Sequence, residues 1–340
     1  MHTAPVAGTG ELQGLIDGGV PEDALRFFAR WWQLETYLRE VAYLELRARD
    51  GIRYTEAIGR RPLDRARGDE RNAYMASADL DPLAYLDAGE LIDLIDGSWE
   101  LFERTLLPEA RWKADASLIR TLRNRVSHCR RPHADDLGRL RQLLRDLEHG
   151  ARIFYASATR TGLEISRRDP LWKDWVRGRH DVAGRLLEHA ARQYDTRFRL
   201  GASRRPWVPE AEGQISGIPG HLWHATWILS GRELVPGNLW STICERSPTA
   251  ELIVHLLMPN PYVATATFAA VDGSEPVADA IGAVFDSVLE TSAPMDHVGM
   301  AGEDSWGQAA RDLPAKVQTY SPMALFDAAH PVTIFEAREN

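Results

Sequence analysis

Hydrophobic side chains recur at spacings of three and four residues through the first 200 positions, the pattern of helices that bury one face. The predicted helices span about residues 21–50, 87–107, 114–129, a stretch that begins at 134–136, and part of 182–199. The charged segment 59–70 is interrupted by Pro62 and Gly68, so we expect a loop or a frayed segment there. Short connections between such helices indicate an antiparallel bundle with a helical extension over residues 1–200.

The pattern changes after Leu200. Residues 201–220 are rich in glycine, proline and serine and are predicted to form a linker. Strand-like runs follow at 221–229, 250–258, 262–271 and 331–337, with an amphipathic helix at 276–290. The predicted fold class is therefore α+β, with a helical bundle at the N-terminus and a small α+β domain over residues 221–340. We expect that domain to serve regulation or recognition.

Residues 252–271 contain no formal charge and are long enough to raise the question of a membrane span. The Pro-Asn-Pro sequence at 259–261 interrupts them, which predicts two strands joined by a turn. The N-terminus shows no basic cluster followed by an apolar run, so we expect no secretory signal. Two cysteines, Cys129 and Cys244, are too few for a disulfide framework. These features predict a cytoplasmic protein without a membrane partner.

The net charge of −9 is unevenly distributed along the chain. Residues 1–100 carry 11 basic and 19 acidic side chains, residues 101–200 carry 22 and 13, and residues 201–340 carry 7 and 17. The central basic block at residues 101–200 has two interpretations. Its side chains could contact phosphate groups, or they could form ion pairs with the acidic regions on either side. Arginine supplies 37 of the 40 basic residues, so its abundance alone is no evidence for phosphate binding.

The sequence lacks the familiar phosphate-loop, dinucleotide-binding, nucleophile-elbow and HExxH or CxxC motifs. His221 and His224 are three apart on a predicted strand, which directs their side chains to opposite faces, and His255 lies on another run. We therefore expect no metal site, and no cofactor is predicted.

The most informative segment runs from Arg120 to Pro132, near the end of a predicted helix whose apolar stripe is Leu118, Leu122, Val126 and Cys129. Asn124 and His128 are four residues apart and share one face of an ideal helix. Arg123 precedes Asn124, so a guanidinium, an amide and an imidazole are expected to converge beside further arginines. Arg123, Asn124 and His128 are the predicted catalytic residues.

This segment resembles the signature of the HEPN superfamily of helical bundles, many of which are ribonucleases or toxins. The signature has an arginine, a polar residue, about three variable positions and a histidine, here Arg123, Asn124, residues 125–127 and His128. The helix containing Trp31–Arg39 also resembles the aromatic helix of abortive-infection-type members, and the resemblance covers about residues 20–150. It implies an endoribonuclease of a prokaryotic toxin or antiviral defence system. It also implies a homodimer in which two such motifs face each other.

Metal-independent RNA cleavage needs a base for the 2′-hydroxyl proton, an acid for the 5′-oxygen and a cation for the phosphorane. Histidine can serve as base or acid near neutral pH, and the planar guanidinium of arginine matches phosphate oxygens. Arg120, Arg130, Glu35 and Arg39 are the predicted substrate-binding residues, with RNA as substrate. A protein or ligand trigger is expected at the C-terminal domain.

Plainer interpretations remain open for several of these residues. His128 would also suit a helix end, Arg123 a surface ion pair, and Glu35 with Arg39 a local salt bridge. Trp172 and Trp175 are set among basic residues and suit either single-stranded RNA or attachment to the bundle. The alternative functions are a non-catalytic HEPN-like interaction module and a ligand-sensing regulator.

Overall fold

The computed structural model describes residues 13–14, 16–72, 81–159, 161–179, 183–209, 213–246, 248–295 and 313–319. The strand predicted at 331–337 lies outside these residues. The helices are α1 Glu22–Asp50, α2 Arg60–Glu70, α3 Ala88–Gly97, α4 Trp99–Phe102, α5 Glu109–Ser127, α6 Asp136–Thr159, α7 Pro170–Val176, α8 Ala183–Tyr194, α9 Pro236–Glu245, α10 Thr249–Leu252 and α11 Ser274–Thr291. The strands are β1 Thr196–Arg204, β2 His221–Leu229, β3 Arg232–Glu233, β4 Ile253–Asn260, β5 Val263–Ala269, β6 Ala293–Pro294 and β7 Val317–Gln318.

Helix α1 confirms the prediction for residues 21–50. It begins directly after Pro21 and is followed by Gly51, which adopts a φ of 61°. A Cβ atom on Gly51 would lie 1.8 Å from the Asp272 carboxylate, so both the backbone and the neighbouring side chain require glycine here. A short 3₁₀-helix, Gly51–Ala57, continues the chain.

The prediction of a loop or a frayed segment at 59–70 is wrong, because this segment forms α2. Pro62 is the third helical residue, within the first turn, where backbone N–H groups have no partner inside the helix. Charged side chains support the helix from outside: Arg65 Nη1 donates a 2.6 Å hydrogen bond to the Glu90 carboxylate of α3. The charged composition of residues 60–70 therefore did not indicate a helix, because α2 lies at the surface and is stabilised by an ion pair with α3.

The helices predicted at 87–107 and 114–129 have different bounds in the structure. Asp87 and Glu90 form a capping box at the start of α3, and Ser98 leaves the helical conformation, which separates α3 from α4. Helix α5 begins at Glu109, directly after Pro108, five residues before its predicted start. The predicted helices beginning near 134–136 and within 182–199 are confirmed as α6 and α8.

The main sheet has the strand order β1-β2-β5-β4-β7, and all its pairs are antiparallel except β4 with β7. The predicted strands at 221–229 and 262–271 are confirmed as β2 and β5, and the predicted helix at 276–290 as α11. The strand predicted at 250–258 begins later, because residues 249–252 form α10. The charge-free stretch 252–271 is thus mostly the β4–β5 pair, and no helix in the described part of the chain has the length and apolar character to cross a bilayer.

Helices cover both faces of the sheet. Leu222, Val254 and Ala269 belong to the same buried core as the apolar side chains of α1, α3, α5 and α6. Trp223 and Phe268 belong to a second core that includes residues of α7, α8, α9 and α11. Burial on both faces explains why the β2 sequence is apolar almost throughout instead of alternating with polar residues.

The linker predicted at 201–220 is wrong for residues 201–204, because they lie in β1 and pair with β2. The next residue, Arg205, forms a completely buried ion pair with Glu45 of α1. The predicted boundary at residue 200 therefore falls inside a strand. The fold is α+β, with N-terminal helices and a C-terminal sheet that share one core.

Candidate functional site

The predicted catalytic segment lies at the C-terminal end of α5. The backbone N–H of Cys129 donates to the Val126 carbonyl at 3.0 Å, and that of Arg130 donates to the Arg125 carbonyl at 2.9 Å. These two bonds form a Schellman motif, in which the residue after the cap adopts a left-handed conformation. That residue is Cys129, with a φ of 49°, a conformation that costs a non-glycine residue about 1–2 kcal/mol.

This turn changes the position expected for His128. The residue caps α5 instead of continuing it, so it does not share an ideal helix face with Asn124. Cys129 is exposed and lies beyond the helix, so it is not part of an inward apolar stripe. The buried apolar side chains of α5 are Trp112, Ala116, Ile119 and Leu122, whereas Leu118 and Val126 are half-buried.

Arg123 and Asn124 contact each other at the last turns of α5. Nη1 of Arg123 donates a weak hydrogen bond to Oδ1 of Asn124 at 3.4 Å, and Nη2 lies 3.3 Å from the Asp87 carboxylate. The ion pair with Asp87 is the plainer interpretation that the sequence left open for Arg123. About a third of each side chain is exposed, 32% for Arg123 and 39% for Asp87.

Two more arginines of the central basic block contact acidic side chains. Arg120 pairs with Asp93 of α3, and Arg125 pairs with the buried carboxylate of Asp136 at the start of α6. Arg125 therefore holds the end of α5 against α6. The basic block predicted from the sequence is partly neutralised by carboxylates of its own chain.

Residues 127–131 form an exposed turn that follows α5. Among the described residues, none makes a hydrogen bond or ion pair with the side chains of His128 or Arg130. The structure therefore brings together Arg123, Asn124, His128 and Arg130 at one end of α5, with His128 and Arg130 open to solvent. Arg120 lies nearly one turn before Arg123 on the same helix.

Glu35 and Arg39 are placed elsewhere, in a network along α1. They form the local salt bridge that the sequence allowed, and Glu35 also accepts a 2.6 Å hydrogen bond from Nε1 of Trp31. Nη2 of Arg39 reaches the Leu86 carbonyl at 3.4 Å. These groups are half-buried and engaged with one another, and the structure gives no reason to count Glu35 as a substrate-binding residue.

Trp175 and His224 have structural roles. Trp175 is buried, and its Nε1 donates to the Ala278 carbonyl, so it attaches α7 to α11. His224 is buried between Ser203 Oγ, at 2.7 Å from its Nε2, and Thr267 Oγ1, at 3.1 Å from its Nδ1. Burial lowers the pKa of His224 to about 4, so its imidazole is neutral at physiological pH.

His255 approaches a carboxylate rather than another histidine. Its Nε2 lies 2.8 Å from the Glu40 carboxylate, in a contact between β4 and α1. No three histidine, cysteine or acidic side chains of the described residues are grouped so that they could hold a metal ion. The observed role of His255 is to join the sheet to α1.

A cleft that the sequence reasoning missed lies where α1, the segment 81–84, α9, α10 and the segment 314–316 meet. Its volume is about 420 Å³, within the range of small-molecule sites. We call it the interlayer cleft. Polar side chains in its wall include Arg39, Glu40, Asp81, Glu251 and Lys316.

Lys316 is the most unusual group in the interlayer cleft. Its Nζ donates a 2.7 Å hydrogen bond to the Ala250 carbonyl and lies 5.1 Å from the ring centre of Trp240. Burial lowers the pKa of Lys316 to about 8, a change that the more distant Asp81 and Glu251 carboxylates oppose. The only sequence signal for this residue is that it is one of three lysines in the chain.

The comparisons with known proteins place the chain in no family. No protein-family model matches the sequence, and neither a curated protein nor a solved structure matches it.

Proposed function

We propose that the protein is a metal-independent endoribonuclease that cleaves RNA at the exposed end of α5, as the resemblance to HEPN ribonucleases implies. The observation that supports this proposal most is the solvent-exposed imidazole of His128, which follows the Arg123–Asn124 pair by about one turn at the end of α5. An imidazole with no described partner is available for proton transfer, and a weakly paired guanidinium at the same helix end can bind a phosphate.

The reaction requires a proton acceptor and a proton donor. The 2′-oxygen attacks the adjacent phosphorus as its proton passes to a base, and the bond from phosphorus to the 5′-oxygen breaks as that oxygen receives a proton. The products are a 2′,3′-cyclic phosphate and a 5′-hydroxyl. His128 supplies the base or the acid, Arg123 stabilises the charge on the phosphorane, and Asn124 orients Arg123 through its Oδ1 atom.

Binding of a phosphate requires Arg123 to release Asp87. The two side chains are 3.3 Å apart and partly exposed, so their pairing is worth only about 1 kcal/mol or less. A phosphate group can therefore replace the Asp87 carboxylate at small cost. Arg130, which follows the turn, adds a second exposed guanidinium at the same end of α5.

A homodimer supplies the second histidine that acid–base catalysis needs. A single imidazole cannot readily act as base and acid in one turnover, whereas two imidazoles related by a twofold axis divide the roles. The exposed turn at residues 127–131 is the surface that would meet its copy. Light scattering at micromolar concentration is expected to show a dimer, and a monomer with undiminished cleavage would contradict this assembly.

The decisive experiment incubates the purified chain with RNA, with and without EDTA. We expect cleavage in both conditions, and no cleavage of RNA that carries 2′-O-methyl groups, because the attacking hydroxyl is then blocked. His128→Ala and Arg123→Ala are each expected to reduce the rate at least 100-fold, in line with the usual worth of a general acid or base. His149→Ala and Arg139→Ala are matched controls at exposed positions of α6 and should keep full activity.

Two results would refute the proposal: full activity of the purified His128→Ala variant, or no cleavage of any RNA by the folded wild-type chain. The second result would favour the non-catalytic alternatives. Of these, the ligand-sensing regulator has a specific observation in its favour, because the interlayer cleft joins the N-terminal helices to the C-terminal part of the chain.

A further inference from the structure

The interlayer cleft is built by parts of the chain that are far apart in sequence. Arg39 and Tyr43 come from α1, Trp240 from α9, and Lys316 from the residue before β7. The N–H of Leu256 in β4 donates to the Lys316 carbonyl at 2.8 Å, so the sheet fixes the backbone that carries this lysine. The cleft is thus enclosed by several elements of the fold.

The ammonium group of Lys316 lacks a counterion among the described residues. Its hydrogen-bond partner is the neutral carbonyl of Ala250, and no described carboxylate lies within 4 Å of Nζ. The Lys316 side chain is half-buried, and charges withdrawn from water in proteins are ordinarily paired. An ammonium group without a described carboxylate partner in the wall of a cavity therefore points to an anion.

Arg39 is a second cation in the wall of the cleft, and its Nη2 atom is engaged with Glu35 and the Leu86 carbonyl. Its Nε atom is enclosed by the protein and makes no hydrogen bond within the described structure, so a ligand in the cleft does not reach that atom. Lys316 is therefore the cation that a ligand can contact.

The carboxylates of the cleft limit how much negative charge a ligand can carry. Glu40 accepts a hydrogen bond from His255, and Asp81 accepts from the Leu83 N–H and the Tyr54 hydroxyl. Glu251 is exposed. With two cationic and three acidic side chains, the wall has an excess of acidic groups, so a single anionic group is favoured only beside Lys316, and a polyphosphate is repelled.

Aromatic side chains form much of the remaining wall. Trp240 lies beneath Lys316, and Tyr54, Tyr43 and Trp32 also line the cavity. Indole and phenol rings bind flat aromatic molecules by stacking and edge contacts. The cleft therefore offers an aromatic surface beside a cation.

We propose that the interlayer cleft binds a small ligand that combines a planar aromatic ring with one anionic group, as in a nucleoside monophosphate or an aromatic carboxylate. The ring lies against the aromatic side chains of the wall, and the anionic group contacts the Lys316 ammonium. This site is independent of the proposed cleavage at α5, since it uses none of the residues that act there.

Calorimetric titration of the full chain tests the proposal with matched ligands. Adenosine monophosphate is compared with adenosine, which lacks the anion, and with ribose 5-phosphate, which lacks the ring. Indole-3-acetate is compared with indole-3-acetamide in the same way. At least one of the two ring-bearing anions is expected to bind at least tenfold more tightly than its matched compounds, and the one that binds identifies phosphate or carboxylate as the preferred group.

Substitutions locate the binding. Lys316→Met keeps the length of the side chain and removes its charge, and we expect it to weaken binding of the preferred anion at least tenfold. Lys113→Met, at an exposed lysine paired with Glu109 on α5, is the matched control and should bind as the wild type does.

Several results would overturn the proposal. One is that neither ring-bearing anion binds below 1 mM. A second is that adenosine binds as tightly as its monophosphate and indole-3-acetamide as tightly as indole-3-acetate. The others are tighter binding of adenosine triphosphate than of the monophosphate, and unchanged binding in Lys316→Met. The ligand comparisons use the wild-type chain, so the test holds even if that variant does not fold.

Discussion

Replacing Arg205 by methionine is expected to destabilise the folded chain by about 3–5 kcal/mol, because the change leaves the Glu45 carboxylate buried without its countercharge. Neither side chain of this pair is exposed to solvent. Nε and Nη2 of Arg205 donate to the two oxygens of Glu45 at 2.9 and 2.6 Å, and Nε1 of Trp207 donates to the same carboxylate at 2.7 Å. After the substitution only the neutral Trp207 donor remains.

The loss of unfolding free energy depends on whether a substitution leaves an unpaired charge buried. A buried ion pair with good geometry contributes little net stability, because the cost of removing two ions from water offsets their attraction. The double variant Glu45→Leu with Arg205→Met buries no charge, so we expect it to lie within about 2 kcal/mol of the wild type. The two single changes should therefore be strongly non-additive.

Urea unfolding at pH 7, followed by circular dichroism and by tryptophan fluorescence, measures these differences. The two signals should change together, because Glu45 lies in α1 and Arg205 follows β1, so the pair joins the helices to the sheet. The matched control is Glu22→Gln, in an exposed pair with Arg26, which should change stability by less than about 0.5 kcal/mol. A loss below 1 kcal/mol for Arg205→Met, or additive effects in the double variant, would refute the reasoning.

Three further predictions concern titration and truncation. His224 has a pKa of about 4 in the folded chain against an ordinary 6.5, so the unfolded chain binds the proton first as the pH falls. The free energy of unfolding should therefore fall by up to roughly 3 kcal/mol from pH 6.5 to 4. Urea unfolding of His224→Gln should show that most of this loss is gone. Lys316 has a pKa of about 8 in the folded chain against an ordinary 10.5, so its charged form lowers the free energy of unfolding fully below pH 8 and this loss disappears as the pH rises to 10.5. Lys316→Met should therefore raise the free energy of unfolding at pH 7 by about 1–3 kcal/mol, and a lower urea midpoint would contradict this. A chain that ends at residue 200 should show no cooperative unfolding transition, because it lacks Arg205 and the strands β2, β4 and β5 that pack in the same core as α1. A sharp transition would show that the helices fold alone.

The sequence predicted those elements whose local pattern agrees with their environment. Helix α1 has both a clear apolar stripe and the flanking Pro21 and Gly51, and its bounds were predicted nearly to the residue. Helix α2 was missed because it lies at the surface and is held by ion pairs with α3, a tertiary contact that the local charge pattern does not reveal. Strand β1 was missed because residues 196–199 fall at the end of a stretch predicted to contain a helix and residues 201–204 in a segment predicted to be a linker, although residues 197–200 alternate between polar and apolar side chains. Its pairing with β2 completes the strand.

The candidate sites divide in the same way. Arg123, Asn124 and His128 are contiguous in sequence, so a short motif is sufficient to find them. The left-handed conformation at Cys129 ends the helix and leaves His128 outside it. Such a turn is usually marked by a glycine in the sequence, and position 129 is a cysteine. The interlayer cleft depends on Arg39 and Lys316, which are separated by most of the chain, and no local pattern predicts their approach.

The distribution of charge also limits how RNA can bind. The sequence left two interpretations of the central basic block open, phosphate contacts and ion pairs within the chain. Arg120 and Arg125 follow the second, because they contact Asp93 and Asp136 and their guanidinium groups are neutralised by the chain itself. Phosphate groups gain most where a guanidinium is exposed or weakly paired, and the end of α5 offers such groups at Arg130 and Arg123. Under the proposed function, RNA affinity at this site would come from a few contacts at the end of α5, and the side chains that bind the phosphate would also be those that act on it.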